Sequence, residues 1–163
     1  MNGLQLALLT LHRGEQHLSE KLTTAAARHC AEHEVYHVAT DIAAWSSEHM
    51  QGIADASAQH DLNLDEHSDT AWPDVSPVHG HKIHKPPPGS CGPGLLLLRD
   101  LRDLHLAAAY NSLHWEMLAQ VAQASGATDL LSLASSCHPQ TLRQMRWTNT
   151  MIKNMSPQIL NSL

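Results

Sequence analysis

The chain has 163 residues, 42% of them hydrophobic, with a formal charge of −6 and a pI near 6.1. That length suits one domain with a sizeable core, and the acidic balance without any Lys/Arg cluster argues against a nucleic-acid surface. No uninterrupted apolar run reaches the ~18 residues of a membrane span, so no membrane segment is expected.

The first helix is expected over 4–28. Read in steps of three and four, it gives Leu4, Leu8, Leu11, Glu15, Leu18, Leu22 and Ala25, which share one helical face. Gly14 is its one weak position. A buried carboxylate must be paired, hydrogen-bonded, protonated or metal-bound, so Glu15 sets the central question. A short turn at His29–Ala31 leads to a second helix over 32–59. Its stripe is Val35, Val38, Ile42, Trp45, His49 and Ile53, with His33, His37 and Asp41 on the opposite face. From 60 to 93 the helical pattern stops, because Trp72-Pro73, Ser76-Pro77, Pro86-Pro87-Pro88 and Gly92-Pro93 forbid a long helix.

A third helix is expected over 95–124, with one stripe of Leu97, Leu101, Leu104, Ala108, Trp115, Leu118 and Ala122. A second stripe, Leu106, Tyr110, Leu113, Met117 and Val121, leaves only a narrow polar edge. A helix this apolar is central or packs against another subunit. Ser125-Gly126 ends it. The fourth helix is expected over 128–154, with Thr128-Asp129 as N-cap pair, a kink or restart at Pro139 and a stop at Ser156-Pro157.

A ~28-residue helix is ~42 Å long, and a connection of the size of 60–93 returns the chain along its full length. Two helical hairpins joined by such a crossover describe an all-α, ferritin-like four-helix bundle. With that topology as a ruler, good to about one turn, the partners of Glu15 at its own level are His49, His114 and His138. A carboxylate with imidazoles from different helices suits iron, manganese or zinc. The same residues equally suit a metal-free buried polar layer, with Glu15 neutralised by an imidazolium.

Leu8, Leu11, His12, Glu15, Gln16 and Leu18 on helix one, Glu34-Val35-Tyr36-His37 on helix two and Ala108-Ala109-Tyr110-Asn111-Ser112-Leu113 on helix three carry a family resemblance. Here the chain resembles the small bacterial ferritin-like stress proteins. The resemblance implies that Glu15 is the first-helix iron ligand and that Glu34/His37 is a Glu-x-x-His ligand pair. Aligned on Tyr110, Leu106 stands where that family has a third-helix Glu. Cys137-His138-Pro139-Gln140-Thr141 contains no second Glu-x-x-His, so the implied di-iron site is degenerate.

His count is high at 14, which makes metal binding or pH sensitivity worth testing. His79, His81 and His84, with His60, His67 and Cys91 flanking, match no closed zinc site. Three cysteines, Cys30, Cys91 and Cys137, form no disulfide framework, and Met1-Asn2-Gly3-Leu4 lacks a basic signal region, so a reducing cytoplasm is expected. No nucleophile constellation or phosphate-binding loop points to an enzyme. Two functions follow. One is a ferritin-like protein with a reduced Glu/His metal site at Glu15, His49, His114 and His138. The other is a metal-free structural or interaction bundle that forms a homodimer through the third helix.

Overall fold

In the computed structural model, which describes residues 2–65 and 92–163, α1 spans Gly3–Arg28, α2 His33–Gln59, α3 Pro93–Ser125 and α4 Thr128–Leu160. No strand occurs among the described residues. His67, His79, His81, His84 and Cys91 of the expected crossover lie outside them.

Each helix boundary has a local cause. Asn2 Oδ1 accepts the Gln5 N–H at 2.9 Å and Gln5 Oε1 accepts the Asn2 N–H at 2.9 Å, a reciprocal cap for two of α1's unpaired donors. Gln5 Nε2 also donates to the His60 carbonyl at 3.0 Å, which ties the start of α1 to the end of α2. α3 begins at Pro93, where the missing N–H costs nothing in the first turn. It ends at Gly126, whose φ of 73° lies in the left-handed region that glycine occupies without a Cβ clash.

α4 departs from the sequence reading at both ends. Ala127 occupies the N-cap with no side-chain bond, and the Asp129 carboxylate in the first turn accepts from His60 Nε2 at 2.8 Å. The helix then continues past Pro157 to Leu160, beyond the expected stop at 154. Ile159 and Met155 pack on a cluster of Val35, Leu97, Leu101 and Met151. That burial offsets the ~3 kcal/mol typical of a proline inside a helix.

The predicted α1 stripe and the first α3 stripe form the core. Leu8, Leu11, Leu18 and Leu22 of α1 and Leu97, Leu101, Leu104, Trp115 and Leu118 of α3 are all buried. α1 packs on α2 and α3, and α4 packs on α3 and α2. Contacts run in opposite order along neighbouring helices. Arg28 meets Asp100, Glu15 meets Trp115, Gln144 meets Ile42 and Ser46, and His60 meets Asp129. α2 therefore ends beside the start of α1, whereas α3 starts beside the end of α1.

Of the second α3 stripe, Val121 packs partly buried against the core, and the other four residues do not join it. Leu106, Tyr110, Leu113 and Met117 are 44%, 41%, 57% and 48% exposed. No helix among the described residues is long and apolar enough to cross a membrane.

Candidate functional site

Glu15 is fully buried in the middle of α1's leucine stripe, with 0% exposure. The Trp115 indole N–H of α3 donates to its Oε1 at 2.9 Å. His49 of α2, 1% exposed, places Nδ1 3.2 Å from the same oxygen. The imidazole also stands edge-on to the Trp115 ring, with centroids 5.6 Å apart at 80°. On its far side His49 Nε2 donates to Gln140 Oε1 of α4 at 2.7 Å. One residue from each helix thus joins a chain from Trp115 through Glu15 and His49 to Gln140.

Gln140 Oε1 is an acceptor, so His49 Nε2 carries its hydrogen. Nδ1 lies within ion-pair distance of Glu15 Oε1 at 3.2 Å but makes no hydrogen bond. Glu15 Oε2 has no hydrogen-bond partner, and Asn111 Nδ2 of α3 and Thr141 Oγ1 of α4 are likewise buried and unpartnered.

Of the four candidate ligands, the structure brings Glu15 and His49 together. His114, adjacent to Trp115, is buried but turns back along α3. Its Nδ1 lies 2.9 Å from the Tyr110 carbonyl, and its ring stacks on Tyr110 at 4.2 Å. His138 faces the outer edge of α3, with Nε2 2.8 Å from Ser112 Oγ and 3.9 Å from Glu116. Among the described residues, no three His, Cys, Asp or Glu side chains are grouped to hold an ion. One carboxylate and one imidazole fall short of the ligand set that iron, manganese or zinc takes in an all-protein site.

Trp115 and Gln140 are the members of the layer that the sequence did not announce. A ruler good to one turn cannot separate residue 114 from 115, although that single step rotates a side chain by about 100°. The one available signal was that Trp115 falls on the same stripe as Leu101, Leu104 and Leu118.

Cys137 is 7% exposed beside this layer. Burial pushes its thiol up to about 12, with the charges of Glu15 and Glu48 acting in the same direction. At neutral pH it is a small packing group without thiolate character.

A second polar cluster lies where α1 ends beside the start of α3. Asp100 of α3 accepts from Arg28 Nη1 at 2.6 Å and lies 2.9 Å from His29 Nε2. Burial pushes the Asp100 carboxyl upward, but the hydrogen bonds from His29 and Arg28, with the nearby positive charge, outweigh it and hold the carboxyl below its ordinary value. A groove of about 550 Å³ runs beside this cluster between α1 and α3, lined in part by Lys21, Arg28, Arg99 and Asp103. Comparison with protein-family models, with curated proteins and with solved structures finds no match to this chain.

Proposed function

We propose that the protein is an interaction module with a ferritin-like architecture, two antiparallel hairpins and a long crossover, and that α3 docks on a second copy of itself. The observation that carries this reading is the exposed stripe Leu106, Tyr110, Leu113 and Met117. These four residues lie one turn apart and form one continuous, largely apolar surface, and the largest such patch on a monomer is often functional. Nothing in the stripe bears a formal charge.

An isologous contact needs a patch that matches itself. Steps of four, three and four read the same in both directions. In an antiparallel α3 pair, Leu106 meets the partner's Met117 and Tyr110 meets the partner's Leu113. The same register sets no like charges against each other: Asp103 falls opposite Gln120, Arg102 opposite Val121 and Glu116 opposite Ala107. The interior layer, in this reading, is a folding device in which Trp115 donates to the Glu15 carboxyl and His49 packs against it.

Light scattering on the eluting protein tests the proposal. The parent is expected at about twice 17.9 kDa. Leu113→Glu, on the exposed face, is expected to give a folded species of single mass with unchanged helical circular dichroism. A parent that stays at single mass up to about 100 μM, well above the ~1 μM dissociation constants of ordinary specific interfaces, would overturn it.

A further inference from the structure

His33 and His37 occupy the first two turns of α2, and both are exposed. They are one turn apart, on one face of the helix, and their ring centroids are 4.4 Å apart at 56°. The Tyr36 ring meets His37 edge-on at 5.0 Å, which narrows the orientations open to that imidazole. Between them the sequence reads His33-Glu34-Val35-Tyr36-His37, so the Glu34/His37 pair is part of a longer pattern. Two His at i and i+4 on a helix offer both imidazoles to one ion.

The geometry points to a two-imidazole chelate for a late first-row divalent cation, Zn²⁺, Ni²⁺ or Cu²⁺, at His33 and His37. Metal–nitrogen bonds of about 2.0–2.1 Å put two cis imidazole nitrogens roughly 3 Å apart, and rings with centroids 4.4 Å apart reach that spacing by small side-chain rotations. The ligand chemistry selects among cations, because neutral imidazole suits these ions and not Mg²⁺ or Ca²⁺. The positive end of the helix opposes a cation in its first turns. Glu32 at the N-cap, Glu34 in the first turn and Asp41 one turn beyond His37 supply the opposite charge.

No third His, Cys, Asp or Glu is grouped with the pair among the described residues. Water therefore fills the remaining coordination positions, and the site is a chelate without the three protein ligands of a zinc hydrolase. It shares no residue with the α3 stripe, so it stands or falls independently of the dimer.

Zinc alone is the probe. The untagged full chain is titrated with ZnCl₂ while the histidine ring signals are followed by NMR, with those of His33 and His37 identified by their loss in His33→Ala and His37→Ala. Both rings are expected to shift together over one saturable equivalent. Partners that merely support a ligand already change metal affinity about 10–100-fold, so removing either ligand is expected to weaken that equivalent at least about tenfold. Both residues are exposed, and the variants are expected to keep the parent's melting temperature without metal while losing its zinc-dependent rise. Zinc that shifts only other histidines, or an equivalent unchanged in both variants, would overturn the assignment.

Discussion

Glu15 shows how one buried carboxyl group is made tolerable by its neighbours. Its Oε1 accepts from Trp115 and faces His49 Nδ1, so the cost of burial falls on three groups together. Breaking such a couple by removing one member leaves the other uncompensated, typically about 3–5 kcal/mol. Glu15→Ala is therefore expected to lose that much in urea unfolding. Glu15→Gln keeps an acceptor for the Trp115 N–H and removes the charge, and is expected to lose less than half as much. Equal losses in the two variants would show that volume, and not the hydrogen-bonded couple, decides the cost. The sequence made Glu15 and His49 legible because both interrupt an apolar stripe at its own spacing. It left Gln140 and Trp115 illegible as partners, because a polar residue near a helix-facing edge and a tryptophan on a leucine stripe each have a simpler reading by themselves. The His114 and His138 expectations share one physical origin. Level along the bundle follows from counting residues, but direction around a helix changes by about 100° per residue.

At the scale of helices, close approach explains residues that propensity alone misjudges. Gly14 looks like a flaw in α1, since glycine inside a helix costs about 0.8–1 kcal/mol relative to alanine. A Cβ at that position would run into the Asn111 side chain of α3, a buried residue packed directly against it. The missing side chain is what lets α1 and α3 come together beside Glu15. Gly14→Ala is expected to destabilise the fold by about 1–3 kcal/mol, against its own gain in helix propensity. Gly14→Ala combined with Asn111→Ala is expected to recover part of that loss in the same unfolding assay, and a stabilised single variant would refute the close-approach account. Helix α4 carries the complementary lesson. Pro157 reads as a stop, yet the apolar Met155 and Ile159 find partners on α2 and α3, and burial extends the helix through it. Strong periodicity located all four helices, whereas boundaries set by tertiary contacts lay beyond what local sequence holds.

For the molecule as a whole, the two ends of the bundle are stapled by polar contacts of different kinds. At one end Gln5 reaches the His60 carbonyl in a part-buried bond and His60 reaches Asp129 at the surface. Asp129 is held below its ordinary value by the hydrogen bond from His60, but solvent screens that exposed pair. At the other end Asp100 binds Arg28 and His29 across the α1–α3 junction, with its side chain only 11% exposed, so this staple carries the larger share. Its carboxyl titrates lower in the folded chain than in the unfolded one. Stability from such a group is fully present above its unfolded value of about 4 and is lost as pH falls through the lowered folded value. Asp100→Asn removes the charge at every pH. At pH 7 the variant is expected to be less stable by about 1.5–3 kcal/mol, the range for hydrogen bonds to a charged group. As pH falls from about 4 through the lowered folded value, the unfolded and then the folded parent protonates Asp100 and the difference between the two proteins shrinks. Unfolding curves for both, stepped from pH 7 to about 2.5, read that convergence directly. A difference that stays constant across the range would mean that Asp100 acts by shape, and that the charge at this end of the bundle contributes nothing to holding α1 against α3.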